Sequence, residues 1–175
     1  MPVLLGQALY LRMTVLNLPE PPGARSGVVG EGEPLRLLLI GDSSAAGVGV
    51  DTQDHAHCGQ LSKLLSEDMA VHFDLVAETG AKTGQTLGRL DDLPKQQYDF
   101  VVTALGVNDV TKGVSMRPWL RQQNQLIDQL GADFGAKRIY VSGLPPMAQF
   151  PLLPQPLRLI LGLQADLFDR ILEDL

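Results

Sequence analysis

The stretch LRLLLIGDSSAAGVGV, residues 35–50, sets the fold. An apolar run over residues 35–40 has the character of a buried strand, and it stops at Gly41-Asp42-Ser43. Small residues follow at once, with further glycines at Gly47 and Gly49. A serine placed at the end of such a strand, in a turn of small residues, is held at a tight corner from which its side chain can enter a cleft.

Working outward, apolar runs alternate with helical patterns. VHFDLVAE (71–78), YDFVVTALG (98–106) and KRIYVSG (137–143) read as three more strands. Between them, residues 57–70 put Leu61, Leu64 and Leu65 at helical spacing, TGQTLGRLDDL (83–93) is a short helix, and 118–135 is a helix with Pro118 near its first turn. A last amphipathic helix runs from Pro156. Strands of nearly unbroken hydrophobicity separated by helices imply an α/β domain whose parallel sheet is covered on both faces. With 175 residues and 45% hydrophobic content there is material for one such domain. It is placed at 35–175, preceded over 1–34 by an N-terminal arm and a Pro/Gly-rich loop.

The apolar segment 1–18 lacks a basic leader region and a cleavage site, and Arg12 interrupts it, so it reads as a short amphipathic helix or arm. It is too short between polar residues to span a bilayer, and a cytoplasmic location is expected. A net charge of −6, with fourteen scattered Lys and Arg residues, argues against nucleic acid as a partner. The single cysteine, Cys58, excludes an internal disulfide, no Cys/His spacing suits zinc, and Cys58 reads as a small buried apolar residue.

Ligands of open α/β sheets sit beyond the carboxyl ends of the strands, where this chain places Gly41-Asp42-Ser43, Glu78-Thr79-Gly80, Gly106-Val107-Asn108-Asp109 and Ser142-Gly143. Ser43 fits a nucleophile, or else a residue that merely ends a strand or caps a helix. The Gly80 N–H and the Asn108 amide suit the negative charge that grows on a carbonyl oxygen during ester hydrolysis, although each also suits a plain turn. No phosphate-loop or dinucleotide pattern is present.

Gly41-Asp42-Ser43 with Gly47, then Gly80, then the full G-x-N-D of residues 106–109 resemble the ordered blocks of the GDSL or SGNH hydrolases, in the bacterial esterase branch. The resemblance implies a three-layer, flavodoxin-like sandwich with a mostly parallel sheet, acting on a small-molecule ester without metal or organic cofactor. It implies Ser43 as nucleophile and first oxyanion donor, the Gly80 N–H as second and the Asn108 side chain as third. In that family the general base is a histidine in a D-x-x-H block near the C-terminus. Here His55, His57 and His72 all lie between the first and second blocks, so the domain is expected to be C-terminally incomplete, with its fourth strand an exposed edge. DHAH, residues 54–57, has the same spacing and makes His57 a possible base, against a solvated loop or helix start. His72 is expected to open a strand at the sheet edge. Met147 and Phe150 form either an apolar wall for substrate or an ordinary packed loop, and Trp119 is expected to be partly buried. Three functions stay open: an esterase, a relative that binds a carbonyl or carbohydrate ligand without turnover, and a nucleotide-binding flavodoxin-like module.

Overall fold

The computed structural model of the chain describes Leu4, Gly6, Gln7, Tyr10 and residues 18–175, so most of the arm expected over 1–18 lies outside the described residues. Five strands form one sheet: β1 (Ser26–Val29), β2 (Glu33–Gly41), β3 (Met69–Ala77), β4 (Phe100–Ala104) and β5 (Arg138–Val141), in the order β1-β3-β2-β4-β5. The β3-β2-β4-β5 pairings are parallel and β1 runs antiparallel to β3. Between and after the strands lie helices α1 (His57–Leu65), α2 (Thr83–Leu90), α3 (Val107–Thr111), α4 (Met116–Phe134) and α5 (Leu157–Leu172), with 3₁₀ turns at Gln53–His55 and Met147–Gln149.

Strand β2 is central because its residues 37–41 are buried on both faces. Leu38 and Ile40 point to one side and pack with Val101, Leu90, Leu126, Leu130 and Phe134, which brings α2 and α4 onto that face. Leu37 and Leu39 point to the other, where α1 lays Cys58, Leu61 and Leu65 against them. This is the three-layer α/β sandwich expected. The α1 stripe differs in detail from the sequence pattern, because Leu64 is 65% exposed and the inward face is made by Cys58, Leu61, Ser62 and Leu65. Coverage of this face is also uneven. Residues Phe100 and Val102 of β4 are only half-buried and Tyr140 of β5 is exposed.

Two other expectations are corrected. The segment 19–34 is not wholly a loop, since β1 lies inside it. All four β1 residues are exposed, so no buried alternation marks them; backbone pairing with β3, as in Val28 with His72, makes the strand. His72 accordingly sits inside β3, paired with Val28 on one side and Arg36 on the other, and is not at an edge. Among the described residues the sheet margins are β1 and β5.

A second core forms at the carboxyl end of the sheet, where Val110, Trp119, Leu144, Met147, Leu161, Ala165 and Phe168 close together. Trp119, expected to be partly buried, is fully buried and stacks on Phe168 at 4.1 Å between ring centroids. No helix among the described residues is long and apolar enough to cross a membrane.

Leu126 is fully buried, so Leu126→Ala is expected to lower the unfolding free energy by about 2–5 kcal/mol in urea titrations. Leu64→Ala, at the exposed position of α1, is expected to shift it by no more than about 0.5 kcal/mol.

Candidate active site

Register brings the three strand-end loops to one level. Gly41 is paired with Ala77 on one side and Ala104 on the other, and the chain leaves the sheet together after these residues. Gly41 is required there, because a Cβ would lie 2.5 Å from the Ala45 Cβ and 2.6 Å from the Ala104 carbonyl oxygen. The Asp42 N–H continues the ladder by donating to Ala104 O at 3.1 Å, and the next residue is Ser43.

Asp42 is 3% exposed and has no cation beside it in any ion pair among the described residues. Its charge is met by hydrogen bonds. The Ser44 N–H and the Ser44 hydroxyl donate to Oδ1, each at 3.0 Å, and Asn108 Nδ2 donates to Oδ2 at 3.0 Å. The first block is thereby bonded directly to the third. Ser43 is half-buried in the turn between them, its carbonyl accepting from the Val48 N–H.

Gly80 lies in a turn closed by the Ala81 N–H on Glu78 O, with a positive φ of 81° that suits glycine. Lys112 Nζ, just past α3, donates to Gly80 O at 2.6 Å and so ties the second block to the third. A further tie lies beneath it. The fully buried Asp109 accepts at Oδ2 from the Thr83 N–H and hydroxyl, and Gln123 Nε2 donates to the same hydroxyl. Burial pushes the Asp109 carboxyl above the ordinary range, and the Thr83 bonds and Lys82 only partly oppose it. Its second oxygen, Oδ1, has no protein partner.

Three N–H groups are left unused. Among the described residues neither the Ser43 nor the Gly80 backbone N–H donates to a protein acceptor, and Asn108 Nδ2 spends only one of its two hydrogens on Asp42. A cavity of about 640 Å³ opens past the ends of β2 and β4, lined by Asp42 and Ser44 on either side of Ser43 and by Val107 before Asn108, whereas Ser43, Gly80 and Asn108 themselves do not line it. Its apolar wall is Leu39, Leu61, Val102, Ala104, Leu105, Val107, Leu144 and Pro145, and its polar groups are Asp42, Ser44, His57, Ser142 and Asp169.

His57 opens α1 and faces this cavity, but none of the three histidines hydrogen-bonds to Ser43 among the described residues. Met147 and Phe150 belong to the second core, Met147 at 1% exposure, and the part of that loop that borders the cavity is Leu144 and Pro145. Sequence reasoning missed Asp169, whose Oδ1 accepts from the Leu144 N–H at 2.6 Å and fixes this border. The one available signal was a carboxylate beside the apolar stripe of α5. Lys112 carried no signal, since its role depends on where α3 ends.

Because the Asp109 pKa is raised by folding, its protonated form is favoured in the native state, and that stabilisation is complete below the ordinary aspartate value of 3.8 and lost as pH rises through the raised value. Asp109→Asn does not titrate. The stability of the variant relative to the parent is therefore expected to improve from pH 4 to pH 7, read from urea midpoints at both.

The GDSL-like lipase/acylhydrolase family model matches residues 39–175. Among solved structures, the SGNH-hydrolase family esterase AlinE4 is 21% identical with a TM-score of 0.57, over 78% of this chain and 75% of that one. TesA is 24% identical at 0.57, over 75% and 74%. The acetylxylan esterase Axe2 from Geobacillus stearothermophilus is 18% identical at 0.56, over 83% and 74%. No curated protein sequence matches significantly. The solved structures support the α/β fold described above, and the family match extends from within β2 through all three strand-end loops to α5: the chain belongs to the GDSL-like lipase/acylhydrolase family.

Proposed function

We propose that the chain hydrolyses carboxylic esters of small molecules through an acyl-enzyme on Ser43. The observation that carries this reading is the set of three N–H donors without protein partners at the ends of three adjacent strands, next to a serine in a small-residue turn. In the first half-reaction the Ser43 Oγ adds to the ester carbonyl carbon as its proton passes to a base. The oxyanion is received by the Ser43 N–H, the Gly80 N–H and the free Asn108 hydrogen, and collapse expels the alcohol. Water then attacks the acyl-enzyme by the same route, releasing the acid and restoring Ser43.

His57 is the candidate base, since it lines the same cavity as Asp42 and Ser44, the neighbours of Ser43. No metal or organic cofactor enters either step. The apolar wall suits an acyl or alcohol group of modest size. A second reading, ligand binding without turnover, is favoured by one observation: no histidine is hydrogen-bonded to Ser43 among the described residues.

Intact mass after incubation with a serine-directed fluorophosphonate separates the two. One adduct on the parent and none on Ser43→Ala is the expected result; no adduct on either would favour binding without turnover. If His57 is the base, His57→Ala is expected to slow labelling by at least about a thousandfold. Asn108→Ala is expected to lower kcat on an activated ester by at least about 10²–10³, the usual loss for one oxyanion donor, because the bond that ties Asp42 to α3 is lost as well.

A further inference from the structure

The family match begins at residue 39, yet the loop that carries Gly80 is held by residues well before it. Glu20 Oε1 accepts from the Thr79 N–H at 2.7 Å and from the Thr79 hydroxyl at 2.8 Å, so the residue adjacent to Gly80 is gripped twice by one carboxylate oxygen. The other oxygen, Oε2, is paired with Arg25 at 2.8 Å, and Arg25 in turn donates to the Ala77 carbonyl at the end of β3. Burial alone would push the Glu20 carboxyl up, but the two Thr79 bonds and Arg25 outweigh it and hold it below the ordinary range.

The same short segment also grips the Ser43 loop. Pro21 O accepts from Gln53 Nε2, which also donates to Ala46 O, and Pro22 O accepts from the Gln53 N–H. Gly47 lies beneath it, since a Cβ there would meet Pro21 Cγ at 3.0 Å. One stretch of chain thus touches both the loop of the nucleophile and the loop of the second donor.

We infer that residues 20–25 form a strap that sets the distance between the Ser43 and Gly80 loops, with Glu20 as the positioning residue for the Gly80 N–H. This rests on the ester-hydrolase reading for its effect on rate, but the strap itself is a statement about the Gly80 loop. An oxyanion donor acts only if it is fixed where the charge develops, and a displacement on the order of 1 Å can cost about a hundredfold in rate. Glu20 touches neither nucleophile nor substrate, so its loss acts on kcat.

The test uses the full chain with Glu20→Ala, Glu20→Gln and Thr79→Val, and two readouts. Hydrogen exchange of peptides covering residues 78–81 is expected to rise at least about tenfold in Glu20→Ala, with exchange in β2 and β4 unchanged. On an activated ester, kcat is expected to fall about 10- to 100-fold with KM within about threefold. Glu20→Gln, which keeps an acceptor oxygen, is expected to recover most of both. Should Glu20→Ala not fold, Thr79→Val deletes one of the two bonds from the other side and is expected to move both readouts in the same direction, less far. Unchanged exchange at residues 78–81 in the folded variants overturns the strap. So does raised exchange with an unaltered kcat in an active parent. A parent that neither hydrolyses ester nor takes the fluorophosphonate defeats the ester-hydrolase reading instead, and hydrogen exchange alone then decides the strap.

Discussion

The carboxylate of Asp42 holds the carboxyl end of this sheet together. It is buried, it has no ion-pair partner among the described residues, and its charge is met by three hydrogen bonds drawn from two separate loops. A buried carboxylate stripped of a donor costs more than the donor's bond gained, because the orphaned oxygen keeps its desolvation penalty. Asn108 therefore works twice in one side chain. One amide hydrogen bonds to Asp42 and locks α3 to the turn of Ser43; the other has no protein partner. A substitution at Asn108 removes a donor and frees the serine turn at once, whereas Gly80 contributes only backbone, and its displacement can be provoked from elsewhere.

Around this centre one tie joins the first loop to the third, and two join the third to the chain around the second. Asp42 joins the first to the third, Lys112 the third to the second, and Asp109 joins α3 to the start of α2. None of these spans a long distance, because parallel register has already brought Gly41, Ala77 and Ala104 side by side. The sheet does the coarse positioning and side chains do the fine.

Much of this was legible in the sequence where a physical signal was strong. The fully buried β2 run and the serine, glycine and asparagine after successive strands all carry local marks of their positions in the fold. What escaped lacked such marks. Strand β1 buries no side chain and exists through backbone pairing, so hydropathy is silent about it. Leu64 sits within an apolar triplet, and only the angle at which α1 meets the sheet decides that it turns outward. For Met147 the sequence left a substrate wall and a packed loop equally open, and Trp119 and Phe168 draw it into the second core. Glu20 stands among prolines in a polar loop, and its partner is 59 residues away.

The lone cysteine adds a property of another kind. Cys58 is 2% exposed beneath Ala45, Leu39 and Leu75, and burial pushes its thiol up to about 11. At neutral pH only a minute fraction is thiolate, and no reagent reaches it while α1 is seated. Alkylation must wait for that helix to lift, which makes Cys58 a built-in clock for the opening of one layer. That layer begins at the neighbouring His57, so the ticking of the thiol reports how firmly the cavity's histidine is anchored, without any substrate being present.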